Sequence, residues 1–364
     1  MKAIILAGGF GTRLRPLSCT RPKLLFPIAN KPLLDWTLER LAKNGIKEVI
    51  LAVNYMADVF IQHYGNAKYG MKFLYSREGR PLKTGGPIKK AEELIGYDKP
   101  FLVLNGDILT NMNYADLVKQ HEKNDAIATI ALYKVEDPSR YGIAETTEKN
   151  RILRFLEKPT RKEAPSPLAN AGIYVLDPKI FDYIPSERPV SIEYEIFPKL
   201  AEKGKLFGYS FDGLWTDIGE LGDYLRANRL WLDTEIEKRK ISPSVKMKND
   251  AEIADPSILG KNVTIGEQSK IGPYAAIGDN VTIGKGVRIE DSIVFPETLV
   301  SDFTSVKGAI IGENAIIERW VKIEDGCIVG DHVMIKDNVT LTKGVTVCPS
   351  KEVVESVLTS KCLM

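Results

Sequence analysis

Two rhythms of apolar and polar positions divide the chain near residue 233. Before that point, short apolar runs alternate with stretches of helical spacing. Residues 2–7, Lys-Ala-Ile-Ile-Leu-Ala, read as a strand that breaks into glycines. From 33 to 44 the residues Leu33, Leu34, Trp36, Leu38, Leu41 and Ala42 keep to one helix face, and Gly45 stops it. Residues 48–53 and 72–75 predict strands and 57–64 a short helix. Pro87 is expected to open a helix running to Ile95, because proline's missing N–H costs nothing in a first turn. Residues 101–104, Phe-Leu-Val-Leu, predict a buried strand ending in Asn105-Gly106-Asp107. Strand, helix, strand in this order predicts parallel βαβ units in a Rossmann-like open mixed sheet, with ligands beyond the carboxyl ends of the strands.

From Ile253 the rhythm becomes sixfold. Ile253, Leu259, Ile265, Ile271, Ile277, Ile283 and Ile289 recur every six residues, and the beat resumes at Ile311, Ile317, Ile323, Val329, Ile335, Leu341 and Val347. A six-residue period is the signature of a β-helix in which each aliphatic residue points inward and turns stack into one core. Residues 295–309 break the phase and are expected to form an irregular turn or an excursion. The predicted division is a catalytic domain at 1–233, a charged linker at 234–250, the coil at 251–350 and a tail at 351–364 that reads as a short amphipathic helix. Three Asn-x-Thr tripeptides, at Asn262, Asn280 and Asn338, fall on the fourth position of the repeat, where Asn suits a tight turn.

Composition narrows the class. Fifty Lys and Arg against 48 Asp and Glu leave a net charge of +2, which gives no sign of a nucleic-acid or membrane surface. The apolar run before the glycines is too short for a secretory leader, and no run approaches a membrane span. Cys19, Cys327, Cys348 and Cys362 are scattered without a CxxC pair, which reads as reduced thiols in a cytoplasmic protein and not as a metal site. The three histidines, His63, His121 and His332, have no triad-like setting.

The chemistry concentrates in residues 7–23, AGGFGTRLRPLSCTRPK. Gly8, Gly9 and Gly11 let backbone N–H groups approach an anion, while Arg13 and Lys23 supply two cations, a combination that suits a triphosphate. A Walker-type loop would need Lys followed by Ser or Thr where Thr12-Arg13 stand, and Pro16 argues against the helix of a dinucleotide fingerprint.

The stretch resembles the signature of the sugar-nucleotide pyrophosphorylases, and the likeness is closest to the short, β-type mannose-1-phosphate guanylyltransferases. Their pattern GTRLRPLT…PKPL matches residues 11–25, with Ser18 for Thr and Leu24 for Pro. The resemblance implies a left-handed coil and nucleotidyl transfer: a hexose 1-phosphate attacks the α-phosphorus of a nucleoside triphosphate and pyrophosphate leaves. The nucleophile is already anionic, so the barrier is one of charge neutralisation and placement. By the resemblance, Leu6, Ala7, Gly8, Gly9, Gly11, Thr12, Thr84, Gly85 and Gly106 hold the nucleotide, and Arg13 and Lys23 act on its phosphates. Asp107 in LNGD and Asp217 in LWTDIG hold Mg²⁺, and Gly142, Glu157, Lys158 and Asn170 bind the sugar phosphate through counterparts of KYG, FVEKP and NAGIY.

One departure falls in the base-reading segment. The family's LGTAGP is here Leu82-Lys83-Thr84-Gly85-Gly86-Pro87, with Lys in place of a Gly and Gly in place of the Ala. The expected product is GDP-mannose, with UDP-, dTDP- or ADP-sugar synthesis as the rival within the class. An inactive regulatory subunit is disfavoured because Arg13, Lys23, Asp107 and Asp217 are all present, and a coil acyltransferase because His332, the coil's lone histidine, sits at a turn position. The coil and tail are expected to support a homo-oligomer.

Overall fold

The computed structural model describes residues 1–186, 188–236 and 239–363. It divides into two units: Met1–Phe10 with Leu34–Asp217, and Gly11–Leu33 with Ile218–Met364. These units cut across the expected division at 233. The segment carrying Arg13 and Lys23, and the helix Leu221–Thr234, belong with the coil.

The first unit is built on one mixed sheet. Its central strand, Lys2–Ala7, lies parallel to Glu48–Val53 on one side and to Phe101–Asn105 on the other. Glu48–Val53 pairs in turn with Met71–Arg77, again in parallel. Beyond Phe101–Asn105 the direction reverses with Leu168–Leu176, which also pairs with Ala128–Lys134 and Gly142–Thr146. The three central parallel strands, Lys2–Ala7, Glu48–Val53 and Phe101–Asn105, are apolar except for one terminal residue each because both of their faces are covered. Ile4, Ile50, Val103, Ile130 and Tyr174 are all 0 % exposed in one cluster. The helix expected from Pro87 to Ile95 is two short helices, Gly85–Lys90 and Glu92–Ile95, broken at Ala91.

The coil is a triangular stack of three parallel sheets, consistent with the left-handed class. Ser257 lies opposite Ala275, so one turn takes 18 residues. The coil begins earlier than expected: Arg239–Ile241 and Lys246–Met247 already pair with the next turn, inside the stretch predicted as linker. Glu237 and Lys238 of that stretch lie outside the described residues. The tail is likewise strand and not helix, for Glu352–Val353 and Cys362–Leu363 continue two of the sheets; Met364 lies outside the described residues. Val353 keeps the coil's beat and both Val353 and Val357 turn inward, while Val354 and Leu358 face outward.

The phase break at 295–309 is regular coil. Val294, Val300 and Val306 carry the beat, each at most 1 % exposed. Two five-residue steps, 289 to 294 and 306 to 311, shorten the same corner in successive turns, so Ile277 lies opposite Val294 and Val294 opposite Ile311. The inward position two residues before each beat is small or β-branched. Ser269, Thr298 and Thr304 occupy it at 0–1 % exposure and donate their hydroxyls to Gly284, Gly312 and Glu318 carbonyls at 2.7–3.0 Å. Asn262, Asn280 and Asn338 stand at left-handed corners with φ of 55–62°, which accounts for the tripeptides structurally. His332 takes such a corner too.

Candidate active site

In the first unit the carboxyl ends of the parallel strands bring the predicted residues together. Leu6 is in register with Asn105, and the Gly106 N–H donates to the Leu6 carbonyl at 3.1 Å. Leu6, Ala7, Gly8 and Gly9 therefore run beside Asn105, Gly106 and Asp107. Immediately after Asp107 the short strand Ile108–Thr110 pairs antiparallel with Trp215–Asp217, and Asp217 is the partner of Ile108. The two aspartates thus meet at one end of one strand pair, both half-buried. Among the described residues no group of three His, Cys, Asp or Glu forms a closed metal cage. Two half-buried carboxylates fit a hard divalent cation that takes its remaining ligands from phosphate and water, as Mg²⁺ commonly does.

Two glycines each face a buried acceptor, and a third faces an amide nitrogen. A Cβ on Gly8 would lie 2.8 Å from Glu78 Oε1, one on Gly142 would lie 2.5 Å from Glu157 Oε2, and one on Gly172 would lie 2.8 Å from the Asn105 amide. Glu78 Oε1, Glu157 Oε2 and Asn105 Oδ1 are buried without a protein hydrogen-bond partner. An unsatisfied buried acceptor costs about 1–3 kcal/mol, and native proteins keep few of them. Three such acceptors in one unit, two of them packed against a glycine, suit a ligand rich in N–H and O–H donors.

Glu157 is the most perturbed of these groups. Burial and the nearby negative charge of Glu193 push its carboxyl up to about 7, while Lys158 pulls the other way. Glu193 is 8 % exposed and accepts from Thr84 Oγ1 at 2.5 Å and Ser191 Oγ at 2.7 Å. It thereby ties the predicted base-reading segment to the predicted sugar-binding one. It sits in a π-helical turn, Ile192–Ile196, a local expansion often found at functional sites. Sequence reading missed both Glu193 and Glu78. The available signal for Glu193 was a carboxylate set between Val190, Ile192, Ile196 and Phe197.

Other predicted residues have definite places. Asn170 spends its amide on the fold: its Oδ1 accepts from the Gly172 N–H at 2.9 Å and its Nδ2 donates to the Tyr174 hydroxyl at 3.0 Å, locking the bulge of that strand. Lys158 is exposed with φ of 50°, just past Glu157. Gly85 opens a helix and donates to the Val190 carbonyl at 2.8 Å. Lys83 has φ of 61°, the left-handed region that favours glycine, which explains why the family pattern has Gly there. Glu78 Oε2 accepts from the Leu82 N–H at 3.2 Å, so the buried carboxylate is fastened to the start of that same segment.

Gly11, Thr12, Arg13 and Lys23 lie in the other unit. Gly11 adopts φ of 61° and caps a 3₁₀ turn, Thr12–Leu14; a Cβ there would sit 3.3 Å from Ser18. Ser18 Oγ donates to the Gly11 carbonyl at 2.8 Å and holds the turn shut. Lys23 begins a further 3₁₀ turn, Lys23–Leu25, after Pro22. Arg13 reaches Glu220 at 3.7 Å, with both side chains largely exposed.

Residues 2–234 match the nucleotidyl transferase family model, and residues 253–363 match the model described as the GMPPB C-terminal domain. A mannose-1-phosphate guanyltransferase of Yarrowia lipolytica is 41 % identical over 269 residues, 73 % of this chain and 71 % of its own length. One from Aspergillus oryzae is 39 % identical over 270 residues, with the same coverage of 73 % and 71 %. Among solved structures, HddC from Yersinia pseudotuberculosis complexed with GMP-PN superposes with a TM-score of 0.54 at 30 % identity, covering 63 % of this chain and 99 % of its own.

Proposed function

This chain belongs to the nucleotidyl transferase family, and from that premise we propose that it joins GTP to mannose 1-phosphate, giving GDP-mannose and pyrophosphate. The observation that carries the reading is the pair of glycine-faced buried carboxylate oxygens of Glu78 and Glu157, together with the unpartnered Asn105 Oδ1. A hexose supplies hydroxyl donors. Guanine supplies two adjacent donors, N1–H and the exocyclic amine, which one carboxylate accepts together. Uracil and thymine offer one N–H on that edge, and adenine has none at N1. Glu78, fastened to the base-reading segment, is therefore assigned to the guanine edge. The naming of the relatives at about 40 % identity supports the same substrates.

In the proposed reaction an oxygen of mannose 1-phosphate forms a bond to the α-phosphorus of GTP, and the bond from that phosphorus to the bridging oxygen breaks. The electron pair leaves with pyrophosphate, and no proton has to move to make the nucleophile. Gly8 and Gly9 give the phosphates close approach to backbone N–H groups. Arg13 and Lys23 neutralise charge as it shifts toward pyrophosphate. Asp107 and Asp217 hold a divalent cation, proposed as Mg²⁺, which when bound supplies further charge neutralisation. Gly142 and Glu157 receive the hexose, and Lys158 its phosphate. Asn170 acts by holding the strand bulge beneath them.

The chain is further proposed to self-associate through its coil. Phe303 and Trp320 stack at 4.3 Å across successive turns at one corner while 40 % and 57 % exposed. Light scattering that returns the monomer mass would end that proposal. The reaction itself is tested in reverse. Purified protein with pyrophosphate and Mg²⁺ should convert GDP-mannose to GTP faster than it converts UDP-glucose, dTDP-glucose or ADP-glucose to their triphosphates. Preference for another nucleotide would reassign the substrate, and no conversion of any would remove the activity.

A further inference from the structure

The segment 11–33 carries Arg13 and Lys23 but has little structure of its own. It consists of three 3₁₀ turns and a hairpin of two-residue strands, Pro27–Ile28 and Lys31–Pro32. Its position is imposed from outside: within its unit the helix Leu221–Thr234 holds the hairpin end, where Tyr224 Oη donates to the Pro27 carbonyl at 2.7 Å, and the coil holds Thr20, Arg21 and Asn30. Arg21, its side chain only 18 % exposed, donates from Nη2 to Glu313 Oε2 at 2.5 Å and to Asp331 Oδ2 at 2.7 Å. Its guanidinium also lies 5.0 Å from the centre of the Phe295 ring. Thr20 Oγ1 donates to the same Asp331 Oδ2 at 2.6 Å. Asn30 Nδ2 donates to the Ile277 carbonyl at 2.5 Å, one turn further along the coil.

The repeat provides an internal reference for Asp331. At equivalent corners Asp279, Asp302 and Asp337 each accept a backbone N–H from the preceding turn, from Lys261, Lys285 and Arg319, at 2.7–2.8 Å. Asp331 does the same for Glu313 N through Oδ1 at 2.8 Å. Its second oxygen, Oδ2, is the one that Thr20 and Arg21 share, and its side chain is 2 % exposed. The first oxygen serves the coil and the second serves the loop.

We propose that Asp331, with Glu313, clamps Arg21 and so positions Lys23, two residues along the chain, for phosphoryl chemistry. Asp331 is thus a positioning residue on the coil. The proposal rests on the nucleotidyl-transfer reading for its kinetic consequence, because a small misplacement of a charge-neutralising group can cost about 10² in rate. It assigns the coil a part in catalysis beyond assembly.

Asp331→Asn is the discriminating variant. Its amide oxygen still accepts from Glu313 N, so the corner survives, but its NH₂ now faces two donors. Asp279→Asn makes the same change at a corner whose carboxylate, among the described residues, takes no hydrogen bond from residues 11–33. The expected result is a fall of about 10² in kcat for Asp331→Asn with KM for mannose 1-phosphate little changed, and wild-type kinetics for Asp279→Asn. Hydrogen exchange of amides 12–26 should quicken in Asp331→Asn alone. Equal kinetics in both variants, whether both normal or both impaired, would overturn the proposal. An inactive wild-type protein would count against the function. The exchange comparison would still decide the clamp: unchanged protection in Asp331→Asn refutes it.

Discussion

Replacing Glu157 by Gln should remove a pH dependence of stability that the wild-type protein carries between about pH 5 and 8. Burial and Glu193 raise the Glu157 carboxyl from an ordinary 4.5 to about 7. A carboxyl raised in the folded state holds its proton there more tightly than in the unfolded chain. Its stabilising contribution is complete below pH 4.5 and is lost as pH rises toward and through 7. The shift corresponds to about 3 kcal/mol before solvent screening, and nearer 2 kcal/mol once the partial exposure of the group is discounted. His63 and His121, both pulled down by burial, are present in wild type and variant alike, so their titration cancels in a difference. The assay is therefore a difference: urea unfolding of both proteins at pH 5 and pH 8. Wild type should lose about 2 kcal/mol more than Glu157→Gln across that interval. Equal losses would refute the reasoning and place Glu157 in contact with water or an unrecognised cation. The same titration should appear in catalysis, with kcat/KM for mannose 1-phosphate rising through about pH 7 as the carboxylate forms.

Three further outcomes are expected. Glu78→Gln should lower kcat/KM for GTP by about 10- to 100-fold while leaving KM for mannose 1-phosphate near wild type, since it spoils a buried acceptor that faces the base; a change confined to the sugar side would remove Glu78 from base recognition. Lys83→Gly should raise stability by about 1 kcal/mol, read as a higher urea midpoint, because Lys83 holds φ of 61°; a lower midpoint would show that the lysine side chain repays its backbone strain. Gly142→Ala should cut kcat/KM for mannose 1-phosphate by at least about tenfold, since its Cβ would collide with Glu157 Oε2 and the Phe155 ring at 2.5 Å; wild-type kinetics would mean that Glu157 turns away without cost.

What the sequence made legible follows from the range of the forces involved. The coil was readable because its beat is local: a residue six places on meets the same inward environment. The beat was lost only at 289–311, where two five-residue steps at one corner leave Val294, Val300 and Val306 inward but off the period. The strands at 2–7, 48–53 and 101–105 were readable because burial on both faces makes them apolar except for one terminal residue each. The tail misled because Val353 and Val357, four apart, fit one helix face as well as successive coil positions. In the site, Asp107 and Asp217 were named from motifs, but their meeting depends on a pairing between residues about a hundred apart. Glu78 carried no local signature, and Glu193 only the apolar residues on either side of it. Their importance lies in what surrounds them, a glycine in one case and Thr84 with Ser191 in the other. Lys83 was visible as a departure from pattern, and the φ value gives its reason.

The most direct test of the central claim is pyrophosphate release with Mg²⁺ across GTP, UTP, dTTP, ATP and CTP, each against mannose, glucose and N-acetylglucosamine 1-phosphates. The account predicts one maximum, at GTP with mannose 1-phosphate. A maximum at any other pair, or no release with any, would contradict it.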